Sequence, residues 1–324
     1  MGMRLVRSVI ALLFAASPAL LGQKTSKAEV IWRDPGDISA LNMTYGAGGL
    51  EHAPDPNGTF TFIKEDIEGT NPKLDVEDAA GVHWRVKLGE ESQTETAATR
   101  LVWAAGYFVD EDYYLPEVTI TNLPRLHRGR EFVLPGGRIR GAGFERRSKD
   151  VKKHGDWDWF ANPFRDTREE NGLRVMMALL NNWDLKQVNN AIDEIDGERR
   201  YLVADLGATL GNTGNFFTRS KSVLKDYEQT PFIEHAGTDF VDFVLHTRPF
   251  ALTIVNVHHY REYAGMEKLV KHIPRADAKW LGDRLSQLSS DQLGDGFRAA
   301  GYSTEQVTGY VRVIQQRIAA LKAL

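Results

Sequence analysis

The 324-residue sequence contains no cysteine, so disulfide bonds and thiolate chemistry are excluded. It also lacks an excess of positive charge, because 44 acidic residues outnumber 40 lysines and arginines. A protein that binds nucleic acid through its phosphates needs a cationic surface that displaces counterions. General nucleic-acid binding is therefore not expected.

Long apolar runs are missing as well, apart from one near the N-terminus. Arg4 and Arg7 precede an apolar stretch over residues 9–16, and small residues follow at Ser17-Pro18-Ala19 and Ser26-Lys27-Ala28. The stretch is shorter than the roughly 20 residues that span a bilayer, and its flanks are those of a secretory signal peptide. We therefore expect residues 1–28 to be a cleaved leader, and no transmembrane segment in the mature chain.

Cleavage of this leader removes four cationic residues and lowers the formal net charge from −4 to −8. Exported eukaryotic proteins of this size usually carry disulfide bonds, so a cysteine-free exported chain is expected to be bacterial. The sequence thus predicts a protein of the periplasm or the extracellular space.

The remaining sequence shows no internal repeat and no low-complexity tract, but its pattern changes along the chain. Residues 29–58 are rich in Gly, Pro, Asp and Asn and are predicted to form a loop-rich lead-in. Residues 59–150 contain β-prone segments and one helix near 91–105, whereas residues 151–324 are mainly helical, with a β-hairpin near 190–204. Strands and helices segregated in this way predict an α+β fold with a small β-rich N-lobe and a mainly helical C-lobe.

Five polar residues stand in an order and spacing suited to phosphoryl transfer: Lys87, Glu95, Asp184, Asn189 and Asp205. This chemistry needs a lysine at the nucleotide phosphates and a helical glutamate that positions it. It also needs an aspartate that accepts the substrate proton, and an asparagine and a second aspartate that hold Mg²⁺. Lys87 ends an apolar strand, and Glu95 lies in the first turns of the next helix. Asp184 and Asn189 share one loop, and Gly207 allows a sharp turn after Asp205.

Two of these segments resemble known motifs. Asp184-Leu185-Lys186-Gln187-Val188-Asn189 resembles the catalytic loop of protein kinases, and Asp205-Leu206-Gly207 resembles their metal-binding Asp-Phe-Gly. The Gly-x-Gly-x-x-Gly loop of protein kinases is missing. In its place, Gly69-Thr70-Asn71-Pro72-Lys73-Leu74 resembles the Gly-x-Gln-Pro-Lys loop of HipA-type kinases, relatives of the phosphatidylinositol 3-/4-kinases. The run from Glu95 to Leu101 resembles the HipA-type helix, so that the similarity covers residues 59–210.

This resemblance implies a cofactor, MgATP, and a role for each matching residue. Lys87 would contact the phosphates, Asp184 would be the catalytic base, and Asn189 and Asp205 would bind Mg²⁺. The residues expected at the nucleotide are those of the loop, the lysine and one arginine of the basic run near the interlobe hinge: Gly69, Thr70, Asn71, Lys73, Lys87 and Arg146.

Two departures from the family pattern leave the acceptor open. The histidine that HipA-type and lipid kinases usually carry just after the catalytic aspartate is absent, with Leu185-Lys186 in its place, and no Ala-Pro-Glu motif follows Asp205. We expect an exported atypical kinase that transfers phosphate from MgATP to a hydroxyl of an unknown protein, lipid or glycan, with nucleotidyl transfer as a variant. The alternative is a pseudokinase scaffold that binds a nucleotide, a polyanion or a protein partner without turnover.

Other conspicuous residues favour a structural interpretation. His258-His259 is not predicted as a metal site, because adjacent side chains on a strand cannot both face one ion. Trp157 and Trp159 are predicted to pack at the junction of the lobes, and the apolar stripe of the last helix is predicted to pack against the second lobe.

Overall fold

The computed structural model describes residues 27–69, 71–212, 219–245 and 265–324 of the chain, so that Thr70 and His258-His259 lie outside the described residues. The strands are β1 (Glu29–Val30), β2 (Thr59–Asp66), β3 (Lys73–Glu77), β4 (His83–Leu88), β5 (Phe108–Val109), β6 (Asp112–Thr121), β7 (Val133–Leu134), β8 (Arg138–Arg147), β9 (Lys152–Gly155), β10 (Asn190–Ile195), β11 (Glu198–Val203), β12 (Ile233–Ala236), β13 (Phe240–Phe243) and β14 (Ile273–Pro274). The helices are α1 (Glu90–Ala104), α2 (Arg168–Leu180), α3 (Leu224–Gln229), α4 (Arg275–Leu285), α5 (Ser290–Ala299) and α6 (Thr304–Lys322).

The first part of the chain forms a small barrel from β2, β3, β4, β6 and β8. The strand order is β4-β3-β2-β6-β8-β7, and β4 also pairs with β8, which closes the sheet on itself. Alternate residues of each strand point inward, as the period of two in an extended chain requires. On β4, for example, Trp84, Val86 and Leu88 are buried in the barrel core.

Helix α1 packs against the outside of this barrel, on β8 and β6. Its apolar residues Ala97, Ala98 and Leu101 are buried in the larger core of the molecule. The close approach of helix and sheet depends on Gly143 in β8, because a Cβ atom there would lie 2.8 Å from the Cβ of Ser92. The helix is therefore shared by both parts of the structure.

A second sheet has the strand order β1-β11-β10-β9, and β5 also pairs with β11. Strands β10 and β11 form a hairpin through Asp196-Gly197, both of which have positive φ angles, as a tight two-residue turn requires. Strand β1 belongs to the segment predicted as a loop-rich lead-in. The same segment buries Ile31, Ile38 and Met43, so it forms part of the main core as well as loops.

The second part of the chain is mainly helical. Thr167 caps α2 by accepting a hydrogen bond from the Glu170 N–H, and capping boxes at Ser289 and Ser303 open α5 and α6. The predicted α+β class, with strands dominating the first part and helices the second, is confirmed. The described residues include no helix that is both long and apolar enough to cross a membrane.

One buried arginine fastens α6 to the end of α2. Arg317 donates hydrogen bonds to the carbonyl oxygen of Leu179 at 2.7 Å and to Oδ1 of Asn181 at 2.8 Å. Its other terminal nitrogen donates to the carbonyl oxygens of Tyr227 and Thr230, at 3.2 and 3.0 Å. Arg317 thereby satisfies carbonyl groups at the C-terminus of α2, immediately before the loop that carries Asp184.

We expect Arg317→Met to lower the free energy of unfolding by about 3 kcal/mol, because methionine keeps the apolar stem but leaves several buried acceptors unpaired. Urea denaturation followed by circular dichroism measures the change. Arg312→Met is the matched control on the same helix, since Arg312 is exposed and its pair with Glu228 is expected to contribute less than about 1 kcal/mol. Equal losses in the two variants would contradict the role of Arg317.

Candidate active site

A cleft of about 860 Å³ lies between the barrel and the helical part. One wall is the outer face of β3, β4 and β8, and the other consists of the loops around residues 183–191 and 204–208. Most residues that the sequence singled out line this cleft: Gly69, Asn71, Lys73, Lys87, Asp184, Asn189 and Asp205. The fold thus brings together groups that are up to about half the chain apart in sequence.

Lys87 lies on the barrel wall and pairs with Glu95 of α1. Its Nζ is 2.5 Å from Oε1 of Glu95 and 3.8 Å from Oε2 of Glu145. Burial lowers the pKa of a lysine, but the carboxylates of Glu95, Asp205 and Glu145 outweigh burial and raise the pKa of Lys87 well above its ordinary value. Lys87 is therefore a permanent cation at the cleft. It is held by Glu95 of α1, the helix that the sequence predicted after the strand of Lys87.

Acidic groups are in excess around this cation. Asp112 on β6 lies directly opposite Glu145 on β8, and both side chains are buried. Burial and the neighbouring Glu145 raise the pKa of Asp112 to about 7, although Lys87 and two arginines oppose this change. Oδ2 of Asp112 has no hydrogen-bond partner in the described part of the chain. The folded protein thus holds the proton of Asp112 up to a higher pH than an ordinary aspartate would.

The loop that carries Asp184 is braced by two asparagines. Oδ1 of Asn182 accepts the Asp184 N–H at 3.0 Å, and the Asn189 side-chain amide donates to the Asp184 carbonyl oxygen at 2.7 Å. The carboxylate itself lies 2.9 Å from Nζ of Lys186 and remains partly exposed to the cleft. The side chains of Asn182 and Asn189 therefore fix the backbone of Asp184, and its carboxylate lies at the cleft.

Asn189 and Asp205 are joined through their backbones. The Asn189 carbonyl oxygen accepts the N–H groups of Ala204 and Asp205, at 3.0 and 3.2 Å. Because the amide nitrogen of Asn189 is engaged with Asp184, its side-chain oxygen is the atom left for a ligand. Oδ1 of Asp205 accepts a hydrogen bond from the Gly207 N–H at 3.1 Å, so Oδ2 is the carboxylate oxygen that could bind a ligand.

These two oxygens suit Mg²⁺, a hard cation that proteins commonly bind through one or two carboxylates together with substrate phosphates. No cluster of three or more His, Cys, Asp or Glu side chains that could hold a metal occurs among the described residues. A metal bound between Asn189 and Asp205 would accordingly take its remaining ligands from phosphate oxygens and water.

Gly69 and Asn71 are each held by a side chain from another part of the sequence. Arg128 donates to the Gly69 carbonyl oxygen at 2.6 Å. From the helical part, Lys221 donates to Oδ1 of Asn71 at 3.3 Å and pairs with Glu91 of α1. Lys221 lies 150 positions after Asn71, too far for any local pattern to indicate this contact, and the sequence interpretation missed it.

Arg146 does not lie in the cleft. Its guanidinium is 3.8 Å from Oε2 of Glu111 and lines a second cavity of about 350 Å³, which Arg147 lines as well. The next residue, Arg147, lines the cleft and pairs with Glu145 at 2.9 Å. Successive residues of a strand face opposite sides, so only the phase of β8 distinguishes the two arginines.

Several further charged residues in the cleft were given no role in the sequence analysis, among them Arg85, Glu145 and Lys221. The alternation of β4 provides a signal for Arg85, which lies two residues before Lys87 on the same face. Trp157 and Trp159, in contrast, are both buried, with ring centroids 4.6 Å apart, in agreement with their predicted packing role.

No protein-family model and no curated protein matches the chain. Among solved structures, the proinflammatory kinase CtkA of Helicobacter pylori is similar over 83% of this chain and 94% of that chain, with 11% identity and a TM-score of 0.43. A structure of the Golgi casein kinase is similar over 88% of this chain and 75% of its own, with 9% identity and a TM-score of 0.36. The same kinase with Mn and ADP bound is similar over 87% and 77%, with 9% identity and a TM-score of 0.34. Because these TM-scores are low, the chemistry of this chain must be judged from the geometry of its own cleft.

We expect Asp112→Asn to gain stability relative to the wild type as the pH rises. The pKa of Asp112 rises from 3.8 to about 7 on folding, so the folded protein holds this proton more tightly than the unfolded chain does. Through this group the wild type therefore loses stability between about pH 4 and about pH 7, by at least ~1 kcal/mol, and the neutral asparagine removes that loss.

Thermal unfolding of both proteins across this pH range measures the effect. Asp295→Asn is the control, since it removes a half-exposed carboxylate beside Arg298 on α5 and not a buried acid. A difference between Asp112→Asn and wild type that does not change with pH would contradict the assignment.

Proposed function

We propose that the chain is a phosphotransferase of the kinase type, which transfers phosphate from MgATP to a hydroxyl acceptor. The observation that carries this proposal is the ion pair of Lys87 with Glu95, 2.5 Å apart, which faces Asp184, Asn189 and Asp205 across one cleft. A cation for the phosphates, oxygens for a metal and a carboxylate for the acceptor are the parts that phosphoryl transfer requires.

In this proposal the barrel wall holds the donor. The ammonium of Lys87 binds phosphate oxygens, with Lys73 and the loop at Asn71 beside it. Asn189 and Asp205 would hold Mg²⁺, which would supply positive charge to offset the charge that develops on the phosphate oxygens. The resemblance of residues 69–74 to the HipA-type loop belongs to this proposal, since it supports the assignment of this loop to the phosphates.

Asp184 receives the proton of the acceptor. The acceptor oxygen forms a bond to the γ-phosphorus, the bond from that phosphorus to the bridging oxygen breaks, and ADP leaves with the electron pair. The hydroxyl proton passes to the Asp184 carboxylate, which lines the cleft. The acceptor is a hydroxyl of a protein, a lipid or a glycan.

A binding protein without turnover is the second candidate. The observation that favours it is the contact of Lys186 with Asp184 at 2.9 Å, which engages one oxygen of the carboxylate that would receive the proton. Such a scaffold would hold a nucleotide, a polyanion or a protein partner in the same cleft.

Asp184→Asn separates the two candidates. For an enzyme, the variant should bind MgATP as the wild type does and transfer phosphate at least ~100-fold more slowly, because it retains shape but loses the base. Asp205→Ala should instead weaken Mg²⁺-dependent nucleotide binding. Calorimetric titration and transfer of labelled γ-phosphate to an extract of envelope proteins, lipids and glycans measure the two effects.

Asp295→Asn is the matched carboxylate control, remote from the cleft on α5, and should leave both measurements unchanged. Full transfer activity in a folded Asp184→Asn protein would show that another group is the base. Nucleotide binding with no transfer in the wild type would support the scaffold.

We further propose that the protein is exported and acts in the periplasm or outside a bacterial cell. The leader-like features of residues 1–28 support this localisation. Expression of the full sequence in a bacterial host, followed by fractionation and mass spectrometry, should recover an exported chain that begins after Ala28 or Ala19. A cytoplasmic chain that retains residues 1–28 would contradict the proposal.

A further inference from the structure

The second cavity, of about 350 Å³, adjoins the cleft and shares Asp110, Arg147 and Lys153 with it. Sites that enclose small molecules have volumes of about 300–1,000 Å³ and are lined mostly by apolar side chains, with a few polar groups. The walls of this cavity come from α1, β5, the hairpin of β10 and β11, and the connection between β8 and β9. The larger apolar side chains that line it are Trp103, Phe108, Val109, Val151, Ile195 and Leu202. The second cavity therefore offers a surface against which the apolar part of a ligand can pack.

Among the described residues, five cationic side chains line the second cavity, and four of them have a carboxylate within hydrogen-bond distance. These pairs are Arg33 with Glu198 at 2.7 Å, Arg147 with Glu145 at 2.9 Å, Lys153 with Asp193 at 2.8 Å and Arg200 with Glu198 at 3.1 Å. The charges of these four cations are thus already opposed by carboxylates of the protein itself.

Arg146, the fifth cation, is bound less closely. Its contact with Oε2 of Glu111 is 3.8 Å long, which is beyond hydrogen-bond distance, and the same oxygen lies 2.9 Å from Nδ1 of His52. In the part of the chain that the structure describes, no acceptor lies within hydrogen-bond distance of the Arg146 guanidinium. A guanidinium binds a carboxylate through short, charge-assisted and often paired hydrogen bonds. Arg146 therefore has donors available for an anionic group inside the second cavity.

The aspartates that line the second cavity do not cancel this positive charge. Asp34 is bound by Arg284 through two contacts of 2.8 and 2.9 Å. Asp193 is the partner of Lys153. Burial and the neighbouring carboxylates raise the pKa of Asp110 well above its ordinary value, so its side chain keeps a proton up to a higher pH. An anion at Arg146 is accordingly not opposed by three unpaired negative charges.

We propose that the second cavity is a ligand site for a small carboxylate with an apolar body. The carboxylate accepts hydrogen bonds from Arg146, and the apolar body packs against Phe108, Val109 and Leu202. This inference is independent of the proposed function, because none of these four residues takes part in the proposed phosphoryl transfer. Through Asp110, which borders both spaces, the bound ligand lies next to the cleft.

Titration of the full chain, followed by ligand-observed NMR, tests the proposal with three probes that carry the same ring and differ in charge: phenylacetate, phenylacetamide and phenethylamine. We expect phenylacetate to bind at least about tenfold more tightly than the neutral amide and the cationic amine, because only the carboxylate can accept charge-assisted hydrogen bonds from Arg146. Equal affinities for the three probes, tighter binding of the amine, or no binding of phenylacetate would overturn the proposal.

Variants of two lining residues show whether the anion binds in this cavity. Arg146→Met keeps the apolar stem and should weaken phenylacetate binding at least about tenfold, while the affinity for phenylacetamide stays within about twofold. Arg138→Met is the matched control on the same strand, because Arg138 is exposed and pairs with Glu117, and it should change neither affinity.

Val151→Trp provides a second test that leaves Arg146 in place. The larger ring fills part of the second cavity and should weaken the binding of phenylacetate and phenylacetamide alike. Undiminished phenylacetate binding in a folded Arg146→Met or Val151→Trp protein would overturn the proposal, since the anion would then bind elsewhere, for example at Lys87 in the cleft.

Discussion

One positive charge, the ammonium of Lys87, holds the candidate site together. The carboxylates that act on it come from separate elements: Glu95 from α1, Glu145 from β8, Asp112 from β6 and Asp205 from the loop after β11. Without a cation at this point, the buried acids Glu95, Asp112 and Glu145 would repel one another, and the helix would lose its most direct polar link to the barrel. The same cation is available to phosphate groups, so the interaction that organises the site also equips it to bind anions.

Helix α1 extends this organisation to the other side of the cleft. Glu95 faces the barrel, the hydroxyl of Thr94 lies 3.0 Å from the Gly207 carbonyl oxygen, and Glu91 pairs with Lys221. Three positions within two turns of one helix thus contact the sheet, the segment after Asp205 and the chain beyond it. A shift of α1 would therefore change its contact with Lys87 and its contact beside the proposed metal ligands at the same time, because both contacts belong to one rigid helix.

The parts of the site that could be predicted are those that local sequence determines. Lys87 and Glu95 are joined by a strand and the first turns of a helix, and Asp184 and Asn189 share one short loop. In contrast, the choice between Arg146 and Arg147 depends on which alternate residues of β8 face the cleft, and the sequence does not determine this. Contacts such as Lys221 with Asn71 depend on how distant segments pack. The lead-in was interpreted as loop-rich from its Gly and Pro content, whereas the burial of Ile31, Ile38 and Met43 is set by the core against which they pack.

The position of β1 bears on how the chain reaches this structure. Glu29 and Val30 pair in parallel with Arg199 and Arg200, and the side chains of Glu29 and Arg199 meet across 170 positions of sequence. During synthesis, the first strand cannot find its partner until well over half of the chain has emerged. Contacts between such distant residues slow folding, because a long loop must close before they form. The strands of the barrel are closer together in sequence, so the barrel is expected to fold first. The lead-in is expected to pack last, onto a core that has already folded.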